Sequence, residues 1–395
     1  MKQSTLGKNF WIVLVKEVQD ALRDRRTLLR LMVPAVLMGP LLLLALSGFI
    51  SSLEERADKR EVMVAGIEHA PTLRNYLERQ TYTIKAAPAD YETQLRNTKL
   101  LEPVLVIAKD FEAALLSGKQ PTVELVSDSA NQRASSGLGA LSRLLGGFNR
   151  ERATLNMALR GVSNELLQPV LVEERDLASA QARASRITSI IPMFIIMAVL
   201  YGALTAALDS TAGERERGSL EPLLMNPVQH LALVLGKWGA VALLGLLVAL
   251  LASLSFIPAQ WLLRSDSLQA MFQFGWYEVF AFLLLQLPLA AGLGAALMAL
   301  AIRSKTYKEA QAGSGLIVTL VGLAPMVSML NPGGDAAWYL WVPGLAQNTL
   351  MMLVLKGETL SWVQVMPGVL VGAVLTVGCL LFVAKSMRLA VAGHK

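Results

Sequence analysis

Six long apolar segments, almost free of charged residues, divide the chain. A helix needs about 20 residues to cross the hydrocarbon core of a bilayer, and each segment is close to that length. The pattern therefore predicts an α-helical polytopic membrane protein with six transmembrane helices. The predicted spans are 31–50, 187–208, 234–257, 279–302, 312–330 and 365–384.

Residues 1–30 have an amphipathic pattern instead. Trp11, Val15, Val18 and Leu22 recur at helical spacing, and charged and amide side chains occupy the other faces. This pattern predicts a helix that lies in the plane of the membrane. The alternative is an ordinary cytosolic first turn of the next helix.

Between the first two spans, residues 51–186 are numerous enough to form a domain with its own core. Apolar runs of strand length alternate there with helical patterns, which predicts an α/β domain. The predicted strands are Val62–Ile67, Tyr82–Ala86, Val104–Ala108, Val123–Val126 and Val170–Glu173. The predicted helices are Thr72–Gln80, Ala89–Leu100, Phe111–Ser117 and Asn131–Val162.

The last of these helices carries Leu138, Leu141, Leu145 and Phe148. These side chains either face the domain core or form an arm that contacts a partner, and the core-facing interpretation is favoured.

A second open question concerns 331–364, which is rich in Trp and Tyr and contains an apolar run too short to span. That run is either a re-entrant helix or a simple interfacial anchor.

The net charge of +6 is concentrated in short flanking segments. Residues 1–30 hold seven basic and three acidic side chains, and the 303–311 link and the 385–395 tail are also basic. Six spans place these three regions on one side, which the positive-inside rule assigns to the cytoplasm. Residues 209–233 then also lie in the cytoplasm. The predicted outer segments are 51–186, 258–278 and 331–364.

The densest block of charge, Gly213–Leu224, lies between the second and third spans. Such a block cannot sit in hydrocarbon, so it lies at a membrane surface. Acidic and basic residues followed by Gly-Ser and a short apolar run predict a short amphipathic helix that docks on a soluble partner.

Motifs for enzymatic chemistry are absent from the sequence. No Gly-x-x-x-x-Gly-Lys-Ser/Thr motif occurs, so the chain is not expected to hydrolyse ATP itself. The three histidines are far apart, and no metalloprotease or acyl-transfer motif is present, so neither a metal site nor a catalytic site is expected. The single cysteine, Cys379, excludes an intrachain disulfide. The sequence shows no compact basic domain of the kind that would indicate nucleic-acid binding.

Ionisable side chains are also scarce inside the spans. Asp209 and Glu278 lie at span edges, and Gln286 is the clearest polar residue within a span. Proton-driven transporters commonly place carboxylates near the midplane, so this scarcity favours energy supplied by a partner. Gln286, Ser253 and Ser255 are the candidate residues of a substrate pathway.

Four segments together carry a resemblance to a known family. They are Lys16-Glu17 with Leu22–Leu28, Gly213–Leu224 with Pro227 and Gly236-Lys237, Lys305–Gln311, and more weakly Trp341–Pro343 with Gln347-Asn348. With the six-span pattern, they resemble permease subunits of type-2 ABC exporters, most closely the sodium-extrusion (Nat-type) permeases. The resemblance covers essentially the whole chain.

The resemblance implies several partners. A separate ABC ATPase would bind ATP and Mg²⁺, and this chain would bind no cofactor. A second permease subunit, identical or different, would complete the transporter in the inner membrane of a bacterium. Both termini of the chain would be cytoplasmic.

The resemblance also implies a coupling helix that inserts into a groove on the ATPase. Its residues would be Glu214, Arg215, Glu216, Arg217, Gly218, Ser219, Leu220 and Glu221, beside Arg23, Asp24, Arg25 and Arg26. Lys305, Lys308 and Glu309 would form a secondary cytoplasmic contact. Each charge could instead belong to a solvated loop or a lipid-headgroup anchor.

Sodium is the cargo that the closest resemblance implies, and lipid, drug or peptide export fits the sequence as well. Two other classes of function remain. A secondary transporter would work without an ATPase, and the scarcity of carboxylates within the spans counts against it. A membrane receptor or mechanotransmitter would act through the outer domain.

Overall fold

The computed structural model describes residues 6–58, 60–97, 99–100, 102–128, 132–163, 165, 175, 177–219, 222, 229–263, 269, 272–331 and 335–392. The chain forms two compact units. The helical unit comprises residues 1–49 and 177–395, and the mixed unit comprises residues 50–176.

The chain begins with α1 (Leu6–Arg23) and α2 (Arg25–Asp58). The elements that follow are β1 (Glu61–Ala65), α3 (Pro71–Arg79), β2 (Thr83–Ala86), α4 (Tyr91–Arg96), β3 (Val104–Ile107), α5 (Phe111–Leu116), β4 (Val123–Val126) and α6 (Gln132–Leu159). The remaining helices are α7 (Ala180–Thr188), α8 (Ile191–Leu208), α9 (His230–Ala259), α10 (Trp276–Ala301), α11 (Tyr307–Leu323), α12 (Met326–Leu330), α13 (Leu345–Leu355) and α14 (Trp362–Ala392).

In the described part of the chain, six helical segments are long and apolar enough to cross a membrane. They are Leu31–Phe49, Ile191–Glu216, His230–Leu262, Trp276–Ala301, Tyr307–Ser328 and Trp362–Arg388. The prediction of an α-helical polytopic membrane protein is confirmed. The fifth segment begins five residues before the predicted 312, because the Thr306 hydroxyl accepts a hydrogen bond from the Glu309 N–H and starts the helix there.

Small residues set how the membrane helices pack. At the α8–α9 crossing, a Cβ added at Gly202 would lie 3.0 Å from the Cα of Gly245. At the α10–α14 crossing, a Cβ at Gly372 would lie 2.6 Å from the carbonyl oxygen of Pro288. Glycine therefore allows the backbones to approach closely. The resulting van der Waals packing helps to drive the association of helices in a bilayer.

Helix α1 is a separate helix that packs along the start of α9. A Cβ at Gly236 would lie 2.6 Å from a methyl carbon of Val13, so the two backbones approach closely. Trp11, Val15 and Leu22, from the predicted apolar stripe, are exposed. Helix α1 therefore has two apolar faces, and the sequence pattern revealed the one that does not pack on α9.

Helix α13 is buried inside the helical unit, where it packs against α7, α8, α10 and α14. Its first turn is fixed by Gly344, whose φ is +83°, and by Gln347, whose Oε1 accepts a hydrogen bond of 2.8 Å from the Gly344 N–H. An interfacial anchor would expose one face to lipid. Helix α13 therefore lacks the lipid-facing side that such an anchor requires, and its re-entry into the membrane stays a prediction.

The described residues of the mixed unit form a four-stranded sheet with the order β2-β1-β3-β4. Strand β1 pairs parallel with β2 and β3, and β4 pairs antiparallel with β3. Val62 and Val64 of β1 point into one core, whereas Met63 packs against a second cluster on the opposite face. Helices cover both faces, which explains why the central strands are apolar on both sides.

The four strands within residues 61–126 lie at four of the predicted positions. The fifth predicted strand, 170–173, lies outside the described residues. Helix α6 packs on the first core through Leu141 and Phe148, so the core-facing interpretation is confirmed for this part of the helix. The ring of Phe148 stands edge-on to Tyr76, with their centroids 5.3 Å apart.

Candidate functional site

The charged segment after α8 begins with a change in helical hydrogen bonding. Asp209–Gly213 forms a π turn, and one further helical turn follows. That turn ends at Gly218, whose φ of +69° is readily available to glycine. The Gly218 N–H donates to the Arg215 carbonyl and the Ser219 N–H donates to the Glu214 carbonyl, each over 3.0 Å. This pair of bonds terminates the helix as a Schellman motif.

Glu214 points into the helical unit. Its side chain is 11% exposed, and its Oε2 lies 2.7 Å from the Nζ of Lys237. Its Oε1 lies 3.7 Å from the Nζ of Lys16. The carboxylate is therefore held by two cations from two different helices, α9 and α1.

Lys237 is the centre of this arrangement and is fully buried. Its Nζ donates to Glu17 Oε1 and to the Ser210 carbonyl, each over 3.0 Å, and forms the ion pair with Glu214. Two of the three ammonium protons are thus donated to Glu17 and Ser210, and Glu214 is a close ion-pair partner. An isolated buried ammonium would be very costly, and the two carboxylates supply the required opposite charge. We call Glu17, Lys237 and Glu214 the buried triad.

Lys16 borders the buried triad from the half-exposed side of α1. Its Nζ lies 3.1 Å from Glu17 Oε1 and 3.2 Å from Asp20 Oδ2. Partial burial acts to lower the pKa of Lys16, but the charge of Glu17 and the hydrogen bonds to Glu17 and Asp20 outweigh it, so the pKa is raised. Lys16 therefore remains positively charged at neutral pH and balances the second carboxylate of the cluster.

The same charged segment is tied to the link between α10 and α11. Arg215 Nη1 donates to the Ser304 carbonyl over 3.1 Å. Glu216 Oε2 accepts a hydrogen bond of 2.7 Å from the backbone N–H of Tyr307, the first residue of α11. A carboxylate at a helix N-terminus is favoured by the helix dipole. The structure thus brings together two of the segments that carried the family resemblance.

Arg217 stabilises the π turn from outside. Its Nε donates to the Gly213 carbonyl over 3.1 Å, and its Nη2 donates to the Asp209 carbonyl over 3.2 Å. The consecutive residues Glu216–Ser219 are exposed, and we call them the exposed tip. On the neighbouring link, Lys305, Lys308 and Glu309 are exposed, and Glu309 Oε2 accepts from the Lys305 N–H over 2.8 Å.

Arg23, Asp24 and Arg25 are exposed at the junction of α1 and α2. Asp24 and Asp209 line a common cavity of about 170 Å³, so this junction lies beside the start of the charged segment. The side chain of Arg26 and the residues Leu220 and Glu221 lie outside what the structure describes.

The three candidate pathway residues lie on two helices, Ser253 and Ser255 on α9 and Gln286 on α10. Ser253 and Ser255 donate to carbonyls of their own helix, at Ala249 and Ala252. Gly39 of α2 packs directly on the Ser255 hydroxyl. Gln286 is fully buried on α10, and its Nε2 lies 3.8 Å from the Sδ of Met351 on α13. The three polar groups therefore do not form one cluster. Within the described residues, no group of three or more His, Cys, Asp or Glu side chains is arranged to hold a metal ion.

Lys237 and Glu17 were not among the predicted site residues, although both lie in segments that carried the resemblance. The prediction that ionisable residues lie only at span edges misses Lys237, which lies within the predicted span 234–257. The sequence does contain a signal for Lys237, because this lysine is the single charged residue between 231 and 263. A lone lysine in a long apolar run requires a carboxylate partner, but the sequence does not say which carboxylate reaches it.

Six membrane helices and a charged segment that binds the link between α10 and α11 are the features of a known class of protein. The chain belongs to the family described as ABC-2 family transporter protein, which it matches over residues 30–385. It is 27% identical over 349 residues to the ABC transporter permease protein NatB of Bacillus subtilis (strain 168), covering 87% of this chain and 88% of that protein. No solved structure matches the chain.

Proposed function

We propose that this protein is the permease subunit of an ATP-driven exporter, and that a separate ATPase docks on the exposed tip. The observation that carries the proposal is the set of contacts that hold the exposed tip in place. Glu214 binds inward to Lys237, while Arg215 and Glu216 bind the link before α11. The tip is thus a surface feature with a firm connection to the membrane helices, which a coupling element needs in order to transmit force.

The chemistry of the tip suits a protein partner. Glu216 and Arg217 present opposite charges, and charge-assisted hydrogen bonds are stronger and more directional than neutral ones. Lys305, Lys308 and Glu309 lie on the link to which the tip is bound and extend the charged surface. Arg23 and Arg25 add basic side chains at the α1–α2 junction. We propose that these groups together form the docking face for the ATPase.

The proposed assembly contains two permease subunits, identical or different, and ATP with Mg²⁺ bound only on the ATPase partner. We place it in the inner membrane of a bacterium, with both termini in the cytoplasm, because residues 1–30, 303–311 and 385–395 are basic. The mixed unit then lies outside the cytoplasm as the α/β domain inserted between the first two membrane helices.

For the cargo we propose sodium, because the motifs of the chain resemble sodium-extrusion permeases most closely. Inside-out proteoliposomes that contain the permease with its ATPase should take up radioactive sodium when ATP is added. Rubidium uptake in the same vesicles is the control for a non-specific leak. ATP-dependent uptake of neither ion, together with ATPase activity stimulated by a lipid, drug or peptide, would assign one of those cargoes instead.

Reversing the charge of Glu216, or changing the backbone at Gly218, should release the ATPase. In Glu216→Lys the carboxylate that accepts from the Tyr307 N–H is replaced by a cation, and in Gly218→Pro the positive φ becomes unattainable. A hydrogen bond from a charged group of the tip to the partner would contribute about 1.5–3 kcal/mol, so losing one should lower the ATPase that co-purifies by about tenfold or more. The measurement is quantitative mass spectrometry of the complex isolated from membranes.

The matched control is Glu92→Lys, which makes the same charge change at an exposed position of α4 in the mixed unit. It should leave the ATPase at its wild-type stoichiometry. Wild-type co-purification with both tip variants would contradict docking at the tip, and its absence from the unaltered protein would refute the proposed function as a whole.

A further inference from the structure

The buried triad connects three separate parts of the helical unit. Glu17 comes from α1, Glu214 from the turn that leads into the exposed tip, and Lys237 from the first part of α9. Ion pairs with N–O distances of 3.0 Å to Glu17 and 2.7 Å to Glu214 join the lysine to both carboxylates. A displacement of the tip therefore acts on α9 and α1 through charged groups, in addition to the covalent path through α8.

The covalent path contains an element that is poorly suited to transmit force alone. The π turn Asp209–Gly213 lies between α8 and the tip, and π turns are rare, less regular than α-helix and frequent at functional sites. Lys237 holds this turn as well, since its Nζ binds the Ser210 carbonyl over 3.0 Å. The Lys237 ammonium thus holds together the π turn, Glu214 directly after that turn, and α1.

Burial makes these connections stiff. Lys237 is fully buried and the side chain of Glu17 is 8% exposed, so bulk solvent has little access to the pair. Electrostatic attraction is much stronger at low dielectric than at a solvated surface. Breaking either bond would strand a buried charge, which keeps the three parts together during a movement.

We propose that Lys237 is the positioning residue that couples the exposed tip to α9 and α1, so that these elements move together when the ATPase closes. The inference rests on the proposed function, because it assumes an ATPase bound at the tip. Because Lys237 is fully buried, it acts through the residues that it contacts. Its role is to prevent the π turn from absorbing the displacement.

The test uses the double variant Glu17→Gln/Lys237→Met. It removes one charge of each sign, so Glu214 keeps Lys16 as its countercharge and no buried ammonium is left unpaired. Replacing a buried pair with neutral groups of similar size is often nearly neutral for stability. The control is Arg74→Met/Glu78→Gln, which removes an exposed ion pair of the mixed unit.

Hydrogen exchange is measured on the permease–ATPase complex, with and without ATP and vanadate, for peptides from α1, α8 and α9. We expect the unaltered complex and the control to show an ATP-dependent change in all three helices. The double variant should retain the bound ATPase and its hydrolysis, and should lose the change in α1 and α9.

Three results would overturn the inference. The first is a full ATP-dependent change in α1 and α9 of the double variant, and the second is the lack of any such change there in the unaltered complex. In both cases the ATPase still co-purifies, and the proposed function survives. The absence of any ATPase from the unaltered protein would instead refute the proposed function together with this inference.

Discussion

Replacing Lys237 with methionine alone should destabilise the helical unit more than any other single charge removal that we consider. The variant leaves Glu17 and Glu214 buried without the ammonium that lies 3.0 and 2.7 Å from their oxygens. Removing one partner of a buried ion pair typically costs about 3–5 kcal/mol. The measurement is thermal unfolding of the purified permease in detergent, followed by tryptophan fluorescence.

Two comparisons make this result specific. Lys16→Met removes a half-exposed lysine from the same cluster, and such pairs contribute roughly 1 kcal/mol or less, so its effect should be small. Glu17→Gln added to Lys237→Met should recover much of the lost stability, because it removes one of the stranded carboxylates. A Lys237→Met variant that is no less stable than Lys16→Met would show that the triad is not a buried charge cluster.

Replacing Gly344 with alanine should displace α13 from its position inside the helical unit. The φ of +83° at Gly344 is strained for any residue with a Cβ. That Cβ would also lie 2.5 Å from the Val321 carbonyl oxygen of α11, which is far inside van der Waals contact. A strained backbone position alone costs about 1–3 kcal/mol, and the clash with a backbone atom adds to it.

The effect is read as increased labelling of cysteines introduced, in a Cys379→Ser background, at Leu350 and Met351, which are buried. Gly315→Ala is the matched control, since it lies within α11 and its added Cβ meets nothing within 4 Å. Alanine in a helix interior is favoured over glycine by roughly 0.5–1 kcal/mol, so this variant should be neutral or slightly stabilised. Unchanged labelling of Leu350→Cys in the Gly344→Ala background would contradict the assignment of α13 as a tightly seated helix.

The membrane helices and the strands of the mixed unit could be predicted because each depends on a short-range pattern. A run of about 20 apolar residues is specified locally, and so is the apolar run of a buried strand such as Val104–Ile107. The start of α11 was placed too late, since it depends on the cap at Thr306 and not on hydrophobicity. Element boundaries follow such individual hydrogen bonds.

The candidate site was only partly predictable. The density of charge in Gly213–Leu224 predicts that this segment lies at a membrane surface, but it does not indicate which of its side chains point inward. Glu214 and Glu216 are two residues apart on a helical turn, so they face different directions. One binds buried Lys237, and the other binds the first N–H of α11.

Taken alone, the sequence determined that the chain is a polytopic membrane protein of the ABC-2 type, because apolar length and local motifs are properties of the chain itself. The tertiary structure decided that Glu17, Lys237 and Glu214 meet and that α13 is buried. Glu17 and Lys237 are separated by 220 positions, and their contact depends on α1 packing against Gly236. Contacts over such a separation arise only when helices pack, so no local pattern contains them.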